Sequence, residues 1–153
     1  MTAGSADELR LLRVMWIAVL VAVGLSAPVP YLVIAEGFDR AVPPPAGVQS
    51  GLRFAALGAA VSSFAARRWW TNSLLAALGS GATPARADVW ARLRAGCVVT
   101  WALSESVALL GLALAMIARR PLDGLPFAAA AAVLLYLHRP AVWPLEALTA
   151  AAT

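Results

Sequence analysis

Residues 95–118, AGCVVTWALSESVALLGLALAMIA, decide the class of fold, because this run of 24 residues carries a single charge, on Glu105. About 20 apolar residues in a helix are enough to cross the ~30 Å hydrocarbon core of a bilayer. A carboxylate deep in such a helix costs about 2.5–3.5 kcal/mol on insertion scales. The stretch therefore predicts a membrane-spanning helix whose one acidic side chain needs a proton or a partner.

The composition of the whole chain agrees with this prediction. Hydrophobic residues make up 61% of the 153 residues, charged residues make up 13%, and the mean hydropathy is +0.78. A soluble domain is about 45–50% apolar and about 25% charged, and a disordered chain is poorer still in apolar residues. These values exclude an ordinary soluble domain and a disordered chain.

Other apolar runs predict further spans on both sides of this helix. We expect an all-α, polytopic membrane protein with four transmembrane helices in two hairpins and short loops, forming one transmembrane domain over residues 1–153. The expected spans are residues 14–35, 48–66, 95–118 and 124–139.

Two of these runs have a second interpretation. Residues 14–35 could be the apolar part of a cleaved signal peptide, although Asp7 and Glu8 interrupt the basic leader that such a peptide needs. Residues 124–139 could form a re-entrant or interfacial segment, because their purely apolar core of 13 residues is shorter than the ~17 of a span.

Proline and glycine mark the helix boundaries. Pro28 and Pro30 are expected to kink the outer end of the first span. Three consecutive prolines at 43–45 exclude a regular helix in the loop at 36–49. Residues 119–124 contain Pro121, Asp123 and Gly124 and predict a tight hairpin.

The longest polar connection, residues 67–94, is expected to be a cytoplasmic loop with helical flanks. Residues 73–78 are expected to continue the second helix until Gly79-Ser80-Gly81 breaks it. Thr83 then fits an N-cap with Pro84 at the first helical position, so the third helix is expected to begin near there.

The arginines predict the orientation, because basic residues are enriched in cytoplasmic loops. All 12 basic residues are arginine, which together with frequent alanine indicates GC-rich coding rather than a binding signal. The expected location is the bacterial inner membrane. With both termini in the cytoplasm, eight arginines lie inside and four lie outside. The sequence has no basic run with interleaved aromatic residues, so it does not indicate nucleic-acid binding. The eight inside arginines are Arg10, Arg13, Arg67, Arg68, Arg86, Arg92, Arg94 and Arg139.

Two roles are open for Glu105. In the first, its carboxyl binds an ion or proton, and the flanking Ser104 and Ser106 assist by hydrogen bonding. In the second, it forms a structural ion pair with Arg53, because an antiparallel hairpin of the second and third spans places the two residues about 6 Å apart in depth. The ion pair would hold the carboxyl ionised and suppress proton exchange.

Small residues recur at intervals of four and predict close helix packing, because they allow backbones to approach in lipid. The predicted packing positions are Gly51, Ala55, Ala59 and Ser63 in the second span, and Gly96, Thr100, Ser104, Ala108 and then Gly111 in the third.

Residues 102–112, ALSESVALLGL, resemble the carboxylate-bearing helix of the proteolipid subunit c of rotary ATP synthases, which has a mid-helix acid, an apolar stretch and a glycine. Residues 77–86 stand where that family has its polar loop, so the resemblance covers about residues 51–117. It implies a two-helix hairpin in which Glu105 binds a proton or Na⁺. Only Gly51 and Gly58 remain of that family's glycine ladder, and two additional spans flank the hairpin, so we expect a c-like hairpin within a four-helix protein.

The sequence favours a function through helix contacts over catalysis. It has no nucleophile–base set and no phosphate-binding loop, and one cysteine, Cys97, with one histidine, His138, predicts no metal site. No cofactor is expected. We expect an accessory or structural component whose partners are the lipid bilayer and other membrane subunits or further copies of itself. The alternative is a proton- or Na⁺-binding proteolipid centred on Glu105.

Overall fold

The computed structural model describes residues 3–35, 45–79 and 86–140, and within these ranges the chain forms helices and turns but no strand. The all-α class predicted from the sequence is confirmed. α1 and α2 together form one helical stretch with a short break, so the described residues build four helical rods. The helices are α1 (Ala3–Ser26), α2 (Val29–Ala35), α3 (Ala46–Gly79), α4 (Arg86–Ala118) and α5 (Leu125–Leu137), with a 3₁₀ turn at Pro121–Asp123.

α4 is the central helix, because it packs against every other helix of the bundle. α3 runs antiparallel to it: Trp70 lies against Gly96, so that a point near the end of α3 meets a point near the start of α4. α1 runs parallel to α4, since an ion pair at 2.7 Å joins Glu8 near the start of α1 to Arg94 near the start of α4. These contacts fix the depth of each helix relative to α4.

The helix boundaries follow the proline and glycine signals. α1 and α2 are separated at Ala27 and Pro28, where the sequence predicts a kink. α3 ends at Gly79, as expected, whereas the proposed N-cap at Thr83 and Pro84 lies outside the described residues. The predicted loop at 36–49 is too long: α3 begins at Ala46, because a helix can start directly after a proline, whose missing N–H is not needed there.

The turn between α4 and α5 is the tight hairpin that the sequence predicts. Arg119 closes α4 in the left-handed region, with φ of 53°, and the backbone N–H of Arg120 donates to the Ala115 carbonyl at 3.1 Å. This geometry is a helix C-cap in which glycine is the usual residue. Gly124 then brings the start of α5 against the Gly111 backbone.

The strip of small residues predicted on α3 does not follow the packed face. Gly51 and Ala55 are exposed, whereas Ala59 is half-buried and Ser63 is buried. Four residues turn a helix through about 40° more than one full turn, so a strip with this interval winds away from the neighbouring helix. The face toward the bundle instead alternates spacings of three and four, through Leu52, Ala56, Ala59, Ser63, Ala66 and Trp70.

The predicted strip on α4 is buried along its whole length, because α4 has neighbours on several sides. A strip that winds around α4 passes from one neighbouring helix to the next instead of leaving the bundle. Its five members are Gly96, Thr100, Ser104, Ala108 and Gly111.

Two helical stretches are long and apolar enough to cross a membrane, Asp7–Ile34 with 28 residues and Asp88–Ala118 with 31. Pro121–Leu137 is a shorter apolar helix. Large apolar side chains also point outward, with Phe54 73% exposed and Leu32 65% exposed. Soluble monomers rarely expose contiguous apolar patches of large area.

We predict that Gly111→Ala destabilises the bundle by about 1–3 kcal/mol, because a methyl group there would overlap the Phe127 side chain at its Cβ, which rotation cannot move away. Gly58→Ala is the matched control, since nothing lies within 4 Å of its added methyl group. The control should be neutral or stabilising by up to about 1 kcal/mol, because alanine is the better helix former. Unfolding in detergent micelles measures both, and equal effects would contradict the close approach of α4 and α5.

Candidate functional site

The C-terminus of α5 lies against the other helices, and their side chains donate hydrogen bonds to its last carbonyl groups. The indole Nε1 of Trp16 in α1 donates to the Leu135 carbonyl oxygen at 2.8 Å. A guanidinium nitrogen of Arg67 in α3 donates to the Leu137 carbonyl oxygen at 2.7 Å. The last carbonyls of a helix have no partner within that helix, so these donors satisfy groups that would otherwise be left unpaired.

The carbonyl group of His138, the residue after the helix, also accepts a hydrogen bond from another helix. The indole Nε1 of Trp101 in α4 donates to the His138 carbonyl oxygen at 3.0 Å. The backbone N–H of His138 donates to the Leu134 carbonyl, and that of Arg139 donates to the Tyr136 carbonyl. Every carbonyl from Leu134 to His138 therefore has a donor. We call the three side chains from the other helices, Trp16, Arg67 and Trp101, the α5 cap.

The His138 side chain is fully buried beside the α5 cap, and its contacts define its protonation. Arg67 can only donate, so its nitrogen 3.4 Å from His138 Nδ1 makes Nδ1 the acceptor. The proton then lies on Nε2 and is donated to Ser63 Oγ at 3.2 Å, while Ser63 donates onward to the Ala60 carbonyl at 2.7 Å. The Phe64 ring meets the imidazole edge to face at 5.0 Å. His138 is therefore held as one neutral tautomer that links α3 to α5.

Glu105, the carboxylate singled out from the sequence, lies on the edge of α4 between its buried and its exposed face. Its side chain is half-buried, and its neighbours one turn away, Ala102 and Leu109, are exposed. Within the described ranges no hydrogen bond or ion pair holds its carboxyl, since the one salt bridge there joins Arg94 with Glu8. Glu105 is thus an unpaired acid near the surface of an apolar helix.

The expected Arg53–Glu105 ion pair is not present in the structure, and the helix register explains the difference. Because Trp70 faces Gly96 and the helices are antiparallel, Arg53 is level with Ala113. That is eight residues past Glu105, or about 12 Å along the axis. Arg53 is also exposed, so neither its depth nor its direction brings it to the carboxylate.

The two serines beside Glu105 do not bind its carboxyl. Ser104 Oγ donates to the Thr100 carbonyl at 2.9 Å, and Ser106 Oγ donates to the Ala102 carbonyl at 2.8 Å. Both bonds are local bonds to the preceding turn of the same helix. The described part of the chain also contains no group of three His, Cys, Asp or Glu side chains that could hold a metal ion.

The sequence analysis missed the α5 cap, although one signal pointed to it. The apolar core at 125–137 has 13 residues, fewer than the ~17 of a span, and the last carbonyls of such a short helix need donors from elsewhere. The sequence analysis uses Arg67 only for the orientation and assigns no role to Trp16 or Trp101. Their convergence on one helix end depends on the rotation of each helix.

Comparisons with protein-family models, with curated proteins and with solved structures find no match for the chain.

We predict that Ser63→Ala lowers the free energy of unfolding by about 1–3 kcal/mol, because the buried Nε2–H of His138 loses its acceptor. Ser62→Ala is the matched control, since Ser62 is the exposed neighbour on the same helix and should change stability by less than about 0.5 kcal/mol. Denaturant titration in micelles compares the two variants. If both serines proved equally dispensable, the link from α3 to α5 through His138 would not contribute to stability.

Proposed function

We propose that the protein is a small polytopic membrane protein of the bacterial inner membrane that acts as an accessory component through helix–helix contacts. In this proposal all four helical rods lie in the bilayer, with both termini on the cytoplasmic side. Two helices of sufficient length and apolar character support the membrane placement. The excess of arginine at the end that carries the N-terminus supports the orientation.

The proposal of a partner rests on one observation, namely that no described residue pairs with the carboxyl of Glu105. An unpaired carboxylate among lipid chains costs about 2.5–3.5 kcal/mol on insertion scales. A neighbouring helix that offers a basic or hydrogen-bonding side chain at that depth would remove this cost. The exposed residues on the same flank, Ala102 and Leu109, give such a helix an apolar surface to pack against.

The chain itself supplies no cation to Glu105 from its described residues. Arg53 is about 12 Å farther along the axis and is exposed on α3. Arg94, on the same face of α4 three turns earlier, is already bound to Glu8. A partner in the membrane would supply the neutralising group that these two described arginines do not.

We predict that a photo-crosslinking residue at Ala102 gives one discrete adduct in native membranes, because Ala102 is exposed one turn before Glu105. Glu105→Leu should reduce the adduct several-fold, since it removes the group that the partner recognises. Leu57, 61% exposed on α3, is the control position and should give no Glu105-dependent adduct. Mass spectrometry of the adduct identifies the partner, and a mass twice that of the chain would identify a second copy.

An adduct that forms equally from both positions, or that is unaffected by the loss of Glu105, would contradict the proposed contact surface. Carbonate extraction of the same membranes is the control for insertion. Release of the chain by carbonate would contradict the membrane placement itself.

A second candidate function is proton or Na⁺ binding by Glu105, as the resemblance to subunit c implies. The observation that favours it is the absence, within the described residues, of a cation that would hold the carboxyl ionised. Its half-exposed position on α4 would also allow ions to exchange. In this case the neutralising group is the proton or ion itself.

We predict for this candidate that dicyclohexylcarbodiimide labels Glu105, because the apolar reagent attacks protonated carboxyls within the membrane. Labelling should fall as the pH rises, and Na⁺ should protect the carboxyl if it is the bound ion. Glu8 is the matched control, since its carboxylate is paired with Arg94 and should remain unlabelled. A folded protein in which Glu105 stays unlabelled at every pH would exclude proton binding and leave the contact function alone.

A further inference from the structure

One face of α4 is left incompletely covered by the other described helices. Its residues follow alternating spacings of three and four, the repeat that keeps one side of a helix against a neighbouring helix at a small crossing angle. Four of these residues are exposed, and two, Glu105 and Leu112, are half-buried. We call the six residues the α4 seam: Ala95, Val98, Ala102, Glu105, Leu109 and Leu112.

Glu105 is the one charged residue of the α4 seam, and the rest are small or apolar. The helices around it bring no charge to its depth, because α1 from residue 14 onward, α2 and α5 are uncharged. The nearest charged residues of α3 are Arg67, about 9 Å toward one end of the bundle, and Arg53, about 12 Å toward the other. A molecule that covers the α4 seam therefore has to satisfy a carboxyl at this depth.

A second copy of the chain meets this condition by symmetry. Two copies inserted in the same direction are related by a two-fold axis along the bilayer normal, so each residue on the axis meets its own counterpart at the same depth. Two carboxyls that meet in this way can share one proton, because the protonated group donates and the ionised group accepts. Arg53 of the second copy does not compete for Glu105, since it is also about 12 Å away in depth.

We infer that the chain forms a parallel two-fold dimer along the α4 seam, in which the two Glu105 carboxyls share one proton. The inference rests on the proposed function and names a second copy as its partner. Ala95 and Ala102 allow the two α4 backbones to approach each other near Glu105, and Leu109 packs against its counterpart farther along. An acid that is costly among lipid chains thereby becomes a hydrogen bond between helices.

The charges near the α4 seam are complementary between two copies. Asp88 and Arg92, two exposed residues near the start of α4, have opposite signs, and Arg94 is bound to Glu8. Two copies therefore meet at this end without accumulating like charge. A different protein would need a suitable polar side chain at this one depth, whereas the two-fold axis supplies the match without any further residue.

Crosslinking in native membranes tests the dimer with two leucines at the same depth. Leu109 is 52% exposed in the α4 seam, and Leu57 is 61% exposed on α3 and level with Leu109 by the contact of Trp70 with Gly96. Leu109→Cys and Leu57→Cys are each treated with a short bismaleimide. The unaltered protein gives the background, since its one cysteine, Cys97, is buried.

We expect Leu109→Cys to give a product of twice the chain mass, several-fold more abundant than the product of Leu57→Cys. Equal products from the two positions, or no product from Leu109→Cys, would overturn the inference. If the photo-adduct at Ala102 also has a mass other than twice that of the chain, the proposed contact function stands with a different partner. The failure of the dimer and the failure of the proposed function are thus distinguishable.

A second measurement tests the shared proton, by sedimentation equilibrium in detergent micelles. Association should weaken as the pH rises, because two ionised carboxyls repel each other. Glu105→Gln should keep the association and lose the pH dependence, since paired amides hydrogen-bond without titrating. Glu105→Leu should weaken association at neutral pH by about 3- to 20-fold, the contribution of a hydrogen bond between membrane helices.

A pH response that persists in Glu105→Gln would overturn the inference, as would unchanged association of Glu105→Leu. The crosslinking experiment requires no change at Glu105, so it decides the question even where these two variants fail to fold.

Discussion

The bundle depends on the hydrogen bonds that close the C-terminus of α5. Unpaired carbonyl groups away from water cost several kcal/mol each in an apolar medium, and this helix ends where other helices surround it. Trp16, Arg67 and Trp101 meet this requirement from α1, α3 and α4. Because each donor reaches one particular carbonyl, the same bonds set the relative depth of all four helical rods.

This common register separates the charged residues along the bundle axis, and the proposed function follows from that separation. Arg67 is level with Val99, Glu105 lies about 9 Å from that level, and Arg53 lies about 12 Å beyond Glu105. Among the described residues no cation reaches Glu105, which is the basis for a helix partner or a bound ion.

Much of the helical framework could be predicted from local residue properties. Apolar runs located every helix, Pro28 located the break between α1 and α2, and Gly79 located the end of α3. The rotation of α3 could not be predicted. Its inward and outward faces are both apolar or small, so no amphipathic pattern distinguishes them. The expected strip through Gly51 and Ala55 therefore fell on the exposed side.

The sequence by itself determined the all-α class, the helix breaks at Pro28 and Gly79, and the presence of one acid in a long apolar helix. Only the tertiary structure decided what that acid and the arginines meet. The contact of Trp70 with Gly96 fixes the register that separates Arg53 from Glu105, and the same register brings Arg67 to the end of α5. Side-chain partners depend on register and rotation, which arise from packing between helices far apart in sequence, whereas helix formation depends on neighbouring residues and on apolar composition.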